Sequence, residues 1–444
     1  MQYLDNILFA VILGLGAGYF TLNVKKLIRN IKLGRDIDRS DNPQLRWKNM
    51  AMIALGQSKM VRRPVAGFLH IIVYAGFVII NIEVLEIIID GLLGTHRIFS
   101  FLGVFYNILI GSFEVLALLV LVAVIVFLIR RNIVKLKRFI HSDLKGWPKS
   151  DANYILYFEV VLMSLFLIMN AADYHLQHIN GGFMDFHEAG SFPVSQYIST
   201  IFDGVSNNFV YIIERGAWWL HITGILIFLN YLYFSKHLHI LLAFPNTYYA
   251  DLNPKGKFDN LESVTNEVKL MLDPNADPFA APAPDASVVP AKFGASDVQD
   301  LNWVQLLNAY TCTECGRCTS SCPANITGKK LSPRKIMMDT RDRLEEVGKN
   351  IDANKGVFVD DGKMLLNDYI TPEELWACTS CNACVEECPV NISPLSIIMD
   401  MRRYLVMEQS AAPMSLNAMM TNVENNGAPW QYSQQDRLNW KNEN

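Results

Sequence analysis

The first 311 of the 444 residues contain no cysteine, and all eight cysteines lie in two short groups between positions 312 and 388. This distribution excludes a disulfide framework and is typical of metal chelation. The chain also has no G-x-G-x-x-G turn and no P-loop. We therefore expect no nucleotide or flavin site within it.

Charge is scarce as well, since charged residues make up 18% of the chain and hydrophobic residues 51%. Five apolar segments are long enough to cross the bilayer as helices, a task that takes about 20 residues. They cover residues 4–27, 66–89, 104–129, 154–176 and 217–244. Helices of a soluble protein rarely stay apolar on every face, so the pattern predicts a membrane bundle.

The loops between these segments differ in their content of Lys and Arg. The first connection, counted from Lys25 at the end of the first segment, holds eleven such residues and the third holds seven. The second has only Arg97, and the fourth has none between Leu176 and Glu214. By the positive-inside rule, the first and third loops are cytoplasmic. This predicts an outside N-terminus and a cytoplasmic C-terminal region, in a bacterial inner membrane. The basic loops are explained by topology, so no nucleic acid partner is expected.

The two cysteine groups share one spacing, C-x2-C-x2-C-x3-C-P. It begins at Cys312 in the first group and at Cys378 in the second. In the bacterial dicluster pattern, three cysteines hold one [4Fe–4S] cubane and the fourth reaches across to the other. One cluster is then held by Cys312, Cys315, Cys318 and Cys388, and the other by Cys378, Cys381, Cys384 and Cys322. Zinc would explain pairs of C-x2-C units but not a four-cysteine run that occurs twice.

The cysteine groups are too far apart for a compact βαββαβ ferredoxin. Between Cys322 and Cys378 lie 55 residues, with a helical pattern around residues 333–347. We therefore predict an all-α chain with a helical ferredoxin domain at residues 300–410. The membrane domain covers residues 1–244, and a linker with five prolines in its second half covers 245–299. Residues 411–444 form a tail that is expected to dock a partner.

The C-terminal part resembles a known family. Residues 303–323 and 327–335 are similar to the iron–sulfur oxidoreductases related to heterodisulfide reductase. Residues 422–440 resemble the stretch that follows the second cluster motif in that family and leads, in fused members, into cysteine-rich CCG domains. The resemblance implies a separate cytoplasmic CCG-domain iron–sulfur subunit as partner. Electron-transfer flavoprotein is a second candidate partner.

The membrane half resembles the haem b subunit of respiratory nitrate reductase, which also has five spans. Haem b needs two imidazoles from facing helices at matching depth. His70 and His239 lie near the cytoplasmic ends of the second and fifth segments and form the first candidate pair. The family pattern places another histidine about ten residues after His70, where this chain has Ile80. One haem is therefore expected, and a second stays open.

A second haem would need His221, which precedes His239 by 18 residues. On a continuous helix this is five turns, so both would share one face about 27 Å apart, with His237 on the opposite side. The outer partner of His221 would be His175 or, as an alternative, His178. His96 in the outer loop is a further candidate.

Five acidic residues also lie in apolar stretches. They are Glu83, Glu86, Glu114, Glu159 and Asp173. Such residues line quinone pockets or proton paths, or else they pair with nearby basic groups. No residue is singled out for quinone binding.

Membrane and ferredoxin domains combined in this way resemble electron-transfer-flavoprotein:menaquinone oxidoreductases. The implied function is a subunit of a quinone-linked respiratory oxidoreductase, which relays electrons between menaquinone and the cytoplasmic partner through haem b and two [4Fe–4S] clusters. The direction of electron flow stays open. The alternative is an anchoring subunit of a larger membrane assembly, whose clusters take no part in catalysis.

Overall fold

The computed structural model describes residues 3–179, 183–184, 186–275 and 292–442. Within these ranges the chain is helical, and it contains isolated β-bridges but no β-strand. The predicted all-α fold is thus confirmed. Residues 276–291, which include most of the proline-rich part of the predicted linker, lie outside the described residues.

Five helices are long and apolar enough to cross a membrane, as the sequence predicts. They are Leu4–Ile31, Pro64–Leu93, Val104–Ile133, Trp147–Gln177 and Asn207–Phe234. The second span packs against the third, the third against the fourth, and the fourth against the fifth. The first span closes the bundle by packing against the second and the fifth.

The fifth span differs from its prediction. The expected helix over residues 217–244 begins earlier, at Asn207, and its α-helical part ends at Tyr231. Ser235 is extended, and a new helix covers His239–Tyr248. The start was missed because Glu214 and Arg215 looked too polar for a span.

Hydrogen bonds explain why the fifth helix breaks at Ser235. Its hydroxyl accepts the backbone N–H of His237 at 3.1 Å. The buried carboxylate of Asp151 accepts the backbone N–H of Lys236 at 3.2 Å and the hydroxyl of Tyr231 at 2.6 Å. Because these polar groups satisfy the backbone at the break, the helix can end at this depth and start again in a new direction.

The C-terminal domain is a cluster of helices around one apolar core. Its longer helices are Trp303–Thr311, Pro333–Ala353 and Pro394–Met407, and the shorter ones are Arg317–Ser320, Pro323–Ile326, Leu365–Asp368, Pro372–Trp376 and Ala383–Glu387. The predicted helix at 333–347 starts where Ser332 accepts the N–H of Lys335 and continues to Ala353. Residues predicted as linker also belong here, because the Ala295 N–H donates to the Asp400 carbonyl at 3.0 Å. The domain therefore begins near residue 295.

The domain packs against the same end of the bundle as the first and third loops. The Asn30 side chain donates to the Tyr310 hydroxyl at 3.0 Å, and the Asn246 side chain donates to the Val390 carbonyl at 2.7 Å. The helix Pro333–Ala353 approaches closely at Gly348, where a Cβ atom would lie 2.5 Å from the Asn30 side chain. The two basic loops and the cysteine-bearing domain thus lie on one side of the bundle.

A buried ion pair joins the third loop to this domain. The side chains of Asp143 and Arg334 are 4% and 1% exposed, and the Ser332 hydroxyl donates to Asp143 at 2.7 Å. Burial alone would raise the pKa of Asp143, but the hydrogen bonds and charge of Arg334 outweigh it and hold this pKa below its ordinary value of 3.8. The carboxylate therefore stabilises the folded state above pH 3.8 and loses this effect as the pH falls through the lower folded-state value.

We expect Asp143→Asn to weaken the attachment of the domain. At neutral pH the loss is about 3 kcal/mol, because Arg334 is left buried without its counter-charge. Thermal unfolding of the purified full-length chain measures the effect. The gap between wild type and variant should shrink as the pH falls below about 4, since the wild-type carboxyl is then protonated too. The exposed Asp360→Asn serves as the control, and a gap independent of pH would contradict the interpretation.

Candidate functional site

The two cysteine loops have the same backbone twist. Glu314 and Ser380, each two residues after the first cysteine of its group, have φ values of 54° and 55°. Gly316 and Asn382, two positions further on, have φ values of 72° and 59°. Left-handed residues that alternate with right-handed ones turn successive N–H groups toward one concave side, as in many anion and iron–sulfur sites. The two motifs are therefore structural duplicates.

Gly316 is required at its position for a second reason. A Cβ atom there would lie 2.6 Å from the Arg334 guanidinium and 3.5 Å from the Cβ of Arg138. The first cysteine loop thus packs directly against the third membrane loop. Only glycine combines the left-handed backbone with this close approach.

The fourth cysteine of each motif lies beside the first three of the other. One cavity between the loops is lined by Cys312, Cys315, Cys318, Cys384 and Cys388. The Cys318 thiol interacts electrostatically with those of Cys312, Cys315 and Cys388, and with Cys384 of the second motif. Cys378 and Cys384 interact with Cys322. All eight cysteines are free thiols. These contacts favour the crossed assignment of ligands, which stays a prediction.

The environment of the thiols fits bound iron. Burial raises the pKa of Cys312 and Cys384 to about 12 and that of Cys388 to about 11, so ionisation needs a cation close by. Backbone N–H groups of Ser380 and Ile392 approach the sulfur atoms of Cys378 and Cys388 at 3.4 and 3.3 Å. Among the described residues, no group of three His, Cys, Asp or Glu side chains lies close enough together to bind a single metal ion. A four-iron cluster instead binds each thiolate at a separate corner.

Three histidines meet at the inner end of the bundle, next to the C-terminal domain. The Nδ1 atom of His239 lies 3.1 Å from the Lys236 carbonyl. Because a carbonyl only accepts, Nδ1 is the donor and the lone pair of the neutral ring is on Nε2. Metal-ligating imidazoles commonly have this arrangement. His70 lies within electrostatic reach of His239, and its buried Nδ1 has no hydrogen-bond partner among the described residues. The rings of His237 and His239 are 5.4 Å apart. The sequence analysis placed His237 on the face opposite His239. This prediction was wrong, because the helix breaks at Ser235.

The outer histidines do not form the predicted pair. His221 packs against Phe166, with ring centroids 5.9 Å apart, whereas His175 contacts Phe202. Phe166 and His175 are nine residues apart on one helix, which is about 13 Å in depth. His178 is exposed, and its ring lies 2.8 Å from the Tyr174 carbonyl. The mismatch in depth rules out the expected pairing of His221 with either of them.

His96 and its neighbour Arg97 belong to a buried polar network at the outer end. His96 Nε2 lies 3.5 Å from the Asp173 carboxylate, and burial lowers the pKa of His96 to about 4. Arg97 donates to Asp173 at 2.5 Å, to Asn170 at 2.9 Å and to the Tyr106 hydroxyl at 3.2 Å. Arg97 looked like a simple loop charge in the sequence, and its role in this network was missed.

The acidic residues of the spans mostly join this network. Tyr106 donates to Glu86 at 2.9 Å, and Asn170 donates to Glu114 at 3.3 Å. Glu83 lies 3.8 Å from Arg97, and one of its buried oxygens has no hydrogen-bond partner among the described residues. These contacts favour the interpretation of Glu86, Glu114 and Asp173 as partners of buried polar groups.

A buried ion pair links the inner histidines to the first cysteine loop. The Lys236 ammonium pairs with Glu314, which stands between Cys312 and Cys315, and donates to the Pro148 carbonyl at 2.6 Å. Burial would raise the pKa of Glu314, but Lys236 and Arg341 hold it below the ordinary value. Lys236 therefore touches both His239, through its carbonyl, and the cysteine loop. The sequence analysis missed this ion pair. The only signals for it in the sequence were that Lys236 stands alone in an apolar run and that Glu314 lies inside a C-x2-C unit.

Comparison with known proteins agrees with this geometry. Residues 311–392 match the family model described as a 4Fe-4S dicluster domain. The chain is a relative of iron–sulfur oxidoreductases. It is 28% identical over 470 residues to a probable iron-sulfur-binding oxidoreductase, FadF, of Bacillus subtilis, in a match that covers 99% of this chain and 61% of the relative. The predicted resemblance is thus confirmed.

Two further relatives match different parts of the chain. The EtfAB:quinone oxidoreductase of Syntrophomonas wolfei is 26% identical over 434 residues, 92% of this chain and 55% of the relative. One subunit of the ferredoxin/F(420)H(2)-dependent CoB-CoM heterodisulfide reductase of Methanosarcina acetivorans is 33% identical over 107 residues, 24% of this chain and 52% of the relative. The chain therefore spans just over half the length of the EtfAB:quinone oxidoreductase and 61% of the Bacillus protein. No solved structure matches it.

Pairs of Cys→Ser substitutions test the crossed ligand assignment. We expect a chain with both Cys322 and Cys378 replaced to keep half its iron, because both belong to one cluster. Replacing Cys312 together with Cys322 should remove both clusters. Iron and sulfide analysis and EPR of the reduced protein measure the outcome. The opposite result for the two double variants would mean that each motif holds its own cluster.

Proposed function

We propose that this chain is the membrane and ferredoxin subunit of a quinone-linked oxidoreductase. It relays electrons between menaquinone and a soluble partner. The observation that carries this proposal is the contact between the two candidate cofactor regions. The buried pair of Lys236 and Glu314 connects the inner histidines to the first cysteine loop. The name of the relative EtfAB:quinone oxidoreductase supports quinone as the membrane-side reactant.

The proposed ligands follow from the geometry. One [4Fe–4S] cluster is held by Cys312, Cys315, Cys318 and Cys388, and the other by Cys378, Cys381, Cys384 and Cys322. His70 and His239 would hold one haem b through their imidazole nitrogens. When bound, these groups supply the one-electron redox chemistry that protein side chains lack. The side chains bury the groups, keep water out and hold them close together.

The proposed orientation puts the cysteine domain in the bacterial cytoplasm. The first and third loops carry nearly all the basic residues between spans, and they contact this domain. Basic loops stay on the cytoplasmic side during insertion. The soluble partner then approaches from the cytoplasm.

The C-terminal tail is the proposed docking element for that partner, a CCG-domain iron–sulfur subunit or electron-transfer flavoprotein. The helix Met414–Asn426 and the turn Gln434–Lys441 contain no buried residue. Trp430, Tyr432 and Trp440 are 69%, 71% and 68% exposed. Aromatic residues are enriched at protein interfaces, so such a cluster on a tail fits a binding surface.

Redox titration of the purified protein tests the proposed function. A menaquinol analogue should reduce the haem and at least one cluster, as followed by optical and EPR spectra. A bundle without haem, with clusters that never change oxidation state, would instead support the anchoring alternative. The same titration with the soluble partner added would show the direction of electron flow.

Histidine variants test the haem ligands. We expect His70→Ala and His239→Ala each to abolish the visible bands of reduced haem b, because each removes one axial imidazole. His237→Ala should keep the bands, although its ring is 5.4 Å from that of His239. The exposed His178→Ala is the control. Loss of haem in the His237 variant, with retention in the His239 variant, would reassign the ligand.

The docking role of the tail predicts a separate effect. Replacing Trp430, Tyr432 and Trp440 together by Ala should weaken partner binding by roughly 30-fold or more, because exposed aromatic anchors dominate interface energies. Copurification with the tagged chain and titration of the isolated partner measure it. Cluster content should not change. Alanine at the equally exposed Phe101 and Tyr197 is the matched control. Equal binding by both variants would remove the tail from the interface.

A further inference from the structure

A cavity of about 480 Å³ lies at the inner end of the second and third spans, outside the regions described above. Ligand clefts typically measure roughly 300–1,000 Å³, so it is large enough for a small headgroup. Its lining comes from the first and third loops and the adjoining ends of the spans. Nine residues line it, among them Arg62, Arg63, Val65, Arg130, Lys137 and Arg138.

Five of the nine lining residues are cationic, and only two of them have acidic partners. Arg62 pairs with Glu386, and Arg63 pairs with Glu387 at 2.9 Å. Arg130, Lys137 and Arg138 have no carboxylate partner within the described ranges. The cavity therefore carries an excess of three positive charges. Such an excess favours an anion.

The remaining lining residues are apolar, and the cavity lies beside the ends of two membrane spans. The cavity meets the second span at its first residues, where Val65 is 58% exposed. On the other side it adjoins the end of the third span, where Ile133 and Val134 are 74% and 57% exposed. Exposed apolar side chains at the ends of spans lie against lipid. The anion is thus expected to be attached to an apolar group.

We propose that this cavity binds the phosphate group of an anionic phospholipid in the leaflet next to the cysteine domain. Basic pockets between membrane helices on the cytoplasmic side bind such headgroups. Arginine presents paired N–H groups that match phosphate oxygens, and the cavity offers Arg130 and Arg138 for this contact. Lys137 adds a third positive charge.

The position of the site gives the lipid a structural effect. The Arg138 carbonyl accepts a hydrogen bond from Arg334 at 2.9 Å, and the Arg138 side chain lies against the first cysteine loop at Gly316. Arg138 is close to the Cys315 thiol, whose thiolate form attracts it, and to the positive charges of Arg63, Arg317 and Arg130, which repel it. A bound phosphate offsets this repulsion and holds the third loop against the domain.

Lipid titration followed by native mass spectrometry tests the proposal on the purified full-length chain. The test variant replaces Arg130, Lys137 and Arg138 by Gln. The matched control replaces Lys135, Lys145 and Lys149 by Gln. The first two lie on the same loop and the third lies in the first turn of the fourth span, all outside the cavity. Each basic residue contributes about 1 kcal/mol to headgroup binding, so phosphatidylglycerol should bind the test variant on the order of 100-fold more weakly. The control should bind it like the wild type.

The outcomes distinguish a lipid headgroup site from a site for a free anion and from nonspecific lipid binding. Equal binding of phosphatidylglycerol and phosphatidylcholine by the wild type would overturn the proposal, as would unchanged binding by the test variant. Inorganic phosphate that stabilises the protein against heat as strongly as the lipid does would identify a free anion as the ligand instead. Full iron content in the test variant shows that its cysteine domain still folds. Reduction of that variant by the menaquinol analogue shows separately whether the proposed function is intact. If the triple variant does not fold, the single substitution Lys137→Gln at an exposed position replaces it. We expect this variant to bind phosphatidylglycerol about fivefold more weakly than the wild type.

Discussion

The break in the fifth membrane helix at Ser235 is the constraint on which the arrangement of both domains depends. In a continuous helix the Lys236 carbonyl would accept the backbone N–H of the residue four positions later. With the break, the Lys236 carbonyl accepts from His239 while its ammonium reaches Glu314 in the cysteine loop. The buried carboxylate of Asp151 stabilises the break by accepting the Lys236 N–H. One irregular turn thus connects the membrane bundle to the cysteine domain.

The basic loops have a second role besides setting topology. Several of their charges and carbonyls are bound by the domain, as in the contacts of Arg63 with Glu387 and of Arg317 with the Lys59 carbonyl. A buried ion pair adds little net stability, but its geometry is specific, and removal of one partner is costly. The pair of Asp143 and Arg334 therefore fixes where the domain sits more than how strongly it is held.

Features with a strict spacing could be predicted from the sequence. The C-x2-C-x2-C-x3-C-P runs define the cysteine loops, and runs of about 20 apolar residues define the spans, because each follows from one local rule. The break at Ser235 could not be predicted, since the run continues apolar on both sides and Asp151 acts from another helix. The pairing of His221 with His175 failed for the same reason. It assumed matching depths, which only the packing of Phe166 and Phe202 reveals.

The two ends of the bundle are chemically different, and this difference bears on the proposed function. The inner end has three imidazoles beside the cysteine loops, whereas the outer end has the network of Arg97 with Asp173. On the proposed function, haem ligation is therefore confined to the inner end.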